Sequence, residues 1–203
     1  MPRVRLADVV RALPRRAHDL SRADVSESQR WRLLEAITEV VAARGYEATS
    51  VAHVIAAAGV SRKTFYEQFT DKEGCFLAAY DVLSSRLLRA LERVGERIAD
   101  PGERRAAQMG AFLTALAGDP AAARVFMVDV LGAGPAALAR RERINAEFAD
   151  VVFGDATDDP IRRAAVVGGV NTVVAGAILG GRTAELGELA GPLSAFVRAS
   201  LRR

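Results

Sequence analysis

Residues 49–74 read Thr49-Ser-Val-Ala-His-Val-Ile-Ala-Ala-Ala-Gly59-Val-Ser61-Arg-Lys-Thr-Phe-Tyr-Glu-Gln-Phe-Thr-Asp71-Lys-Glu-Gly74. Val51, Val54, Ile55 and Ala58 recur at three- and four-residue spacing, the apolar face of a short helix. Gly59 breaks that helix. Ser61 has the chemistry to cap a second one, which turns Phe65 and Phe69 inward. Helix, tight glycine-centred turn and capped second helix is the layout that sets its second helix in the major groove of DNA. That second helix opens with Arg62, Lys63 and Thr64. Arg62 and Lys63 supply donors for guanine edges or phosphates, and the hydroxyls of Thr64 and Tyr66 reach phosphates. The spacing alone also fits an ordinary pair of antiparallel helices joined by a solvated cationic turn.

Upstream, Trp31, Leu34, Ile37 and Val41 form one apolar stripe. Ser26 or Ser28 is the expected cap of that helix, and Gly45 its end. Residues 1–26 read as a basic arm carrying Arg3, Arg5, Arg11, Arg15, Arg16 and Arg22, with His18 solvated within it. Downstream, a proline-free helical pattern runs from Asp71 to about Ala99, roughly 40 Å of helix. Further helices are expected near 103–118, 120–131, 135–153, 159–182 and 186–202, separated by Gly, Pro and Asp clusters. No strand pattern stands out. The expected class is all-α, with a three-helix DNA-binding head and a helical bundle, about nine helices in all.

Composition narrows the function. The 203 residues are 50% hydrophobic and 26% charged, as in globular chains. One cysteine and two histidines exclude a disulfide framework and a Cys/His zinc site. Cys75, without a partner cysteine, reads as packing rather than as a redox sensor. No apolar leader is visible at the N-terminus, so a cytoplasmic location is expected. No nucleophile–base pair, metal set or phosphate loop is apparent; neither enzyme activity nor a cofactor is expected. The pI is near 9.5 and almost all the positive charge is arginine, Lys63 and Lys72 being the only lysines. Arginine suits phosphate recognition, although a GC-rich coding sequence produces the same bias.

The stretch resembles the N-terminal domain of the TetR family of transcriptional regulators. Ala58-Gly59-Val60-Ser61, Thr64-Phe65-Tyr66, Phe69 and Lys72-Glu73 stand in the register of that family's motif, and the resemblance covers about residues 28–80. It implies a DNA-binding head at 27–72, an effector-binding and dimerisation domain at 73–203, and double-stranded operator DNA as partner. Thr49, Ser50, Arg62, Lys63, Thr64, Tyr66, Gln68 and Lys72 match DNA-facing positions, with Ser61 mainly a cap. Ile55 and Gln68 depart from the family pattern, in which an alanine and a histidine stand. A helical scaffold or small-molecule-binding protein with weakened DNA binding is therefore the competing reading.

The resemblance further implies an effector inside the bundle and a homodimer through the last two helices, residues 159–202. The residues themselves offer a large apolar set on consecutive helices: Met109, Phe112, Leu116, Phe126, Met127, Val130, Phe148 and Val152. Such residues build a plain core or line an apolar pocket. Asn145 and Asn171, the only asparagines, are candidates for orienting a polar group of an otherwise apolar effector. Residues 164–181 are nearly long enough to span a bilayer, but Asn171 and many glycines argue against it. Ala164, Gly168, Thr172, Gly176 and Gly180 recur every four residues, a ridge of small side chains that lets a second helix approach closely. Leu189, Leu193, Phe196, Val197 and Leu201 are the expected larger partners.

Overall fold

The computed structural model describes residues 22–201. Among them are nine α-helices and no strand. The head comprises α1 (Arg22–Arg44), α2 (Val51–Ala58) and α3 (Arg62–Gln68). The body comprises α4 (Lys72–Gly95), α5 (Pro101–Gly118), α6 (Pro120–Met127), α7 (Pro135–Phe153), α8 (Pro160–Leu179) and α9 (Ala190–Leu201). Short 3₁₀ segments occupy Asp129–Gly132, Gly154–Ala156 and Thr183–Leu189.

Local chemistry explains where the helices start. Asp100, Asp119 and Asp159 each accept a hydrogen bond from a backbone N–H of the first turn, and each is followed by a proline that opens the helix. A carboxylate satisfies an otherwise orphan donor, and proline has no N–H to lose at that position. Asp71 caps α4 in the same way, accepting from the Gly74 N–H at 2.7 Å.

Several expected boundaries change; α4 ends at Gly95 rather than near Ala99, and α8 at Leu179 rather than 182. The helix bearing Trp31 already includes Arg22, so neither Ser26 nor Ser28 is its cap. Ser26 instead sits within α1, and its Oγ accepts from Gln68 Nε2 at 2.7 Å. The expected arm boundary at 26/27 thus falls inside a helix, while the arm's residues 1–21, His18 included, lie outside the described residues. The helix expected over 120–131 ends at Met127 and tightens into the 3₁₀ turn of Asp129–Gly132. The last helix begins at Ala190 rather than 186. Gly181, at φ 73°, turns the chain after α8, and the Thr183–Leu189 segment is 3₁₀.

One continuous core joins head and body. Leu34, Ile37, Val54 and Phe65 pack in the head, Phe76 and Tyr80 carry the packing along α4, and Leu113, Val125 and Ile144 continue it. Helix α1 packs against α6 as well as against α2 and α4. The head therefore touches the body through two elements, α4 and α1.

Candidate nucleic-acid interface and effector cavity

The turn between α2 and α3 depends on one backbone conformation. Gly59 has φ 60° and ψ 40°, and its N–H and that of Val60 donate back to the carbonyls of Ala56 and Ile55. A side chain there would face the left-handed penalty, and its Cβ would stand 2.8 Å from an Arg32 guanidinium nitrogen. Arg32 itself donates to the Gly59 carbonyl at 3.1 Å, tying α1 to the turn.

Helix α3 presents a polar face to solvent. Ser61 accepts from the Thr64 N–H at 3.0 Å, and its hydroxyl pairs with that of Thr64 at 2.9 Å. Arg62, Lys63 and Tyr66 are exposed, with Phe65 fully buried beneath them. The Arg62 guanidinium lies over the Tyr66 ring, 5.6 Å from its centroid, and Lys63 loosely pairs with Glu67 at 3.8 Å. Exposed donors on a helix anchored by a buried aromatic ring can reach base edges without repacking the head.

The remaining expected contacts divide. Ser50 is exposed and caps α2. Thr49 is buried, and its hydroxyl donates to the Gly45 carbonyl at 2.8 Å, so its side chain fastens the turn instead of facing outward. Gln68 spends its amide donor on Ser26, and its carbonyl accepts from Arg30 at 3.4 Å. It locks α3 to α1. Lys72 donates to the Tyr46 carbonyl at 2.8 Å and sits 4.0 Å from the Tyr46 ring centroid. Ile55 is half-buried, with Val54 taking the fully buried position, so the larger side chain is accommodated at the edge of the core. His53 completes a reciprocal cap at the start of α2. Its Nδ1 accepts from the Ser50 N–H, and its own N–H donates to Ser50 Oγ, each at 3.3 Å. The signal was its place three residues after Ser50, the position where Glu or Gln usually closes such a box.

The body holds a partly open cavity of about 50 Å³ lined from α4, α5, α6, α7, α8 and α9. Of the residues expected there, Met109, Phe112, Phe126, Asn145, Phe148, Val152 and Asn171 line it. Met127 and Val130 are buried in the core elsewhere. Leu116, one turn beyond Phe112, lies past the Phe126 ring and opens on a different, surface groove. Asn171 donates to Asn145 Oδ1 at 3.2 Å, so the two asparagines form one polar spot on an apolar wall.

Gln108 was missed. It is 2% exposed and lines the cavity one turn before Phe112. Its Nε2 donates to the carbonyls of Leu91 and Val151 at 3.2 and 3.3 Å. A Cβ at Gly95 would stand 2.7 Å from that nitrogen, so the glycine makes room for the amide. The Gln108 Oε1 is buried without a partner, an acceptor left open beside the cavity. A lone amide at helical spacing from the aromatic set was the available signal.

Cys75 is buried and its thiol is pushed up to about 12, burial outweighing the nearby Arg30 guanidinium. It is not a reactive thiolate at neutral pH. Among the described residues no group of three or more His, Cys, Asp or Glu side chains could hold a metal ion.

A capped, solvent-facing α3 on a glycine turn, joined by a long helix to a bundle with an apolar cavity, defines a helix-turn-helix DNA-binding regulator. The family described as "Bacterial regulatory proteins, tetR family" matches residues 33–79, which span the head and the start of α4. That match lies in the head; the body is compared by its fold alone. Among solved structures it is similar to the transcriptional regulator FadR from Bacillus subtilis in complex with stearoyl-CoA. The identity is 17% and the TM-score 0.75, over 84% of this chain and 98% of that one. It is similar also to FadR from Bacillus halodurans, at 18% identity and TM-score 0.76 over 86% and 97%. A TetR-like regulator from Rhodococcus sp. RHA1 is 23% identical, with TM-score 0.64 over 89% and 98%. These likenesses are of fold. No curated protein sequence matches the chain.

Proposed function

We propose that the protein is a homodimeric transcriptional repressor released from its operator by a largely apolar small molecule. The observation that carries this reading is the apolar cavity of about 50 Å³ with the unpartnered Gln108 Oε1 on its wall. Buried acceptors without partners are costly, and an effector that brings a hydrogen-bond donor to Gln108 removes that cost. The Asn145–Asn171 pair offers a second polar contact. The stearoyl-CoA bound by the Bacillus subtilis relative supports an acyl-bearing effector as the first class to try.

Arg62, Lys63, Thr64 and Tyr66 read the operator in this proposal, with Ser50 at the phosphates. Ser61 acts as a cap. Thr49, Gln68 and Lys72 hold the head together. The protein works in the cytoplasm without catalysing a reaction.

The dimer forms through residues 159–202. Ala164, Gly168, Thr172, Gly176 and Gly180 are all exposed, beside the exposed apolar Ile161, Val173 and Leu179. Phe196 on α9 is exposed as well, whereas Leu193 and Val197, expected at the interface, are buried within the subunit. Val197 lines the cavity. Helix α8 is long and apolar enough to cross a membrane by length and composition. Its inward face, Val166, Val170 and Val174, is buried in the bundle, which favours a protein partner for the outer ridge.

The test is to sequence the genomic fragments retained by the purified protein and to measure a mobility shift on the enriched site with and without acyl-CoA thioesters. Enrichment of one palindromic site, released by an effector, is the expected result. Retention of random fragments would overturn the reading.

A further inference from the structure

Beside the cavity, and separate from it, lies a surface groove of about 710 Å³ between α1, α4 and the junction of α5 and α6. Its apolar wall includes Trp31, Leu87, Leu116 and Phe126. Its other wall carries Arg86, Arg89 and Arg93, three and four residues apart and so on one face of α4. Two acids border the same groove. Asp81 is already paired with Arg140 and Arg143, and Asp119 accepts from the Ala122 N–H as the cap of α6. Among the described residues no carboxylate pairs with Arg86, Arg89 or Arg93. The Arg86 Nη1 is moreover buried with no hydrogen-bond partner, while its guanidinium lies over Trp31, 5.0 Å from the ring centroid. Unpaired guanidinium groups clustered beside apolar surface are an uncompensated arrangement that an anion relieves. Phe126 lines both this groove and the cavity, and is therefore the partition between them.

We infer that the groove is the binding site for the anionic head of an amphipathic effector, a phosphate or carboxylate held by Arg86, Arg89 and Arg93, whose apolar tail passes Phe126 into the cavity. This rests on the reading of the chain as an effector-responsive regulator and adds the head-group site and its chemistry. The groove also supplies a route to the head. Trp31 belongs to α1 and Phe126 to α6, so an occupant bears directly on the contact between the DNA-binding helices and the body.

Trp31 is the only tryptophan, so its fluorescence reports the groove without a label. The full chain is titrated with decyl phosphate, decanoate, decanol and inorganic phosphate, each below its aggregation limit. The charged amphiphiles are expected to shift Trp31 emission saturably and to bind at least about tenfold tighter than decanol or phosphate alone. Whichever of decyl phosphate and decanoate binds tighter identifies the head. Arg89 and Arg93 are exposed, so the R89E/R93E variant folds, and Arg86→Met keeps the packed stem while removing the charge. Both variants are expected to lose the preference for the charged amphiphile while still binding decanol. Val170→Phe, which fills the cavity, separates the two readings. If it abolishes tail binding and the arginine variants change nothing, the cavity stands and the groove proposal falls. If the arginine variants lose the charged ligand and Val170→Phe does not, the groove stands and the cavity reading falls. Equal affinity for decyl phosphate, decanoate and decanol overturns the proposal outright.

Discussion

At the scale of single residues, the head separates side chains that face outward from those that hold it together. Arg62 and Lys63 are exposed, and their polar partners, Tyr66 and Glu67, lie within α3, which suits the proposed contact with DNA. Arg62→Ala or Lys63→Ala is expected to weaken operator binding by about 1–3 kcal/mol if that residue grips a base by two hydrogen bonds, with the thermal midpoint unchanged. A quantitative mobility shift and a melting curve check both halves. Gln68→Ala should do the reverse. Losing the bond to Ser26 costs about 0.5–1.5 kcal/mol of stability, with the sequence preference intact.

Glu35 adds a pH-dependent component. Burial, then the Glu39 and Asp119 carboxylates, raise its pKa above the usual 4.5. The folded chain thus holds that proton more tightly than the unfolded one. Stability on this account falls as pH rises from about the unfolded value through the raised folded one, and the loss is complete above it. Glu35→Gln is expected to raise the melting temperature by about 1–2 °C at pH 7 and to lose that gain towards pH 4. Calorimetry at the two pH values decides it. A gain of the same size at both would exclude the carboxylate as the cause.

At the scale of elements, α8 carries different information on its two faces. The inward valines pack the bundle, and the outward ridge has open space beside it. A Cβ at Gly176 would meet nothing within 4 Å in the subunit. Gly176→Leu should therefore leave the subunit folded and block close approach of a second copy. The expected product is a monomer with helical content unchanged and a dimer population reduced on sedimentation. A stable dimer from that variant would remove the ridge from the interface. Helix α4, about 36 Å long, was legible from its unbroken helical pattern and its Asp71 start. The contact of α1 with α6 was not, because nothing in either helix's periodicity says which distant helix its apolar face meets.

At the scale of the whole molecule, a run of aromatic rings joins the head to the cavity. Tyr46 meets Phe76 at 4.9 Å, Phe76 meets Tyr80 at 6.4 Å, Tyr80 stacks on Phe126 at 5.2 Å, and Phe126 meets Phe148 at 6.0 Å. Lys72, the first residue of α4, rests on Tyr46 at the head end. Such a run transmits a shift only if an effector favours one of two arrangements of it, and the coupling must then be reciprocal. An effector in the cavity is expected to lower operator affinity by about 1–3 kcal/mol, and operator DNA to lower effector affinity by the same factor. Val170→Phe should mimic the occupied state, weakening operator binding without effector. The proof is calorimetric titration in both orders. Effector binding that leaves operator affinity unchanged would exclude the coupling.

What the amino-acid sequence determined by itself was local: the helical class, the glycine turn, the Ser61 cap, the Asp-Pro helix starts and the outward cations of α3. Each of these depends on residues within a turn or two of one another, where propensity, capping and periodicity act directly. The tertiary structure decided which of the expected site residues share a space. It turned Thr49 inward, gave the Gln68 amide to Ser26, moved Leu116 past Phe126 out of the cavity and buried Leu193 and Val197 inside the subunit. It also brought Gln108 to the cavity wall and set Trp31 against Arg86. Those outcomes depend on how helices distant in sequence cross. A helix's own periodicity fixes its apolar face but not the neighbour that face meets, so the cavity and the groove exist only once the helices have packed.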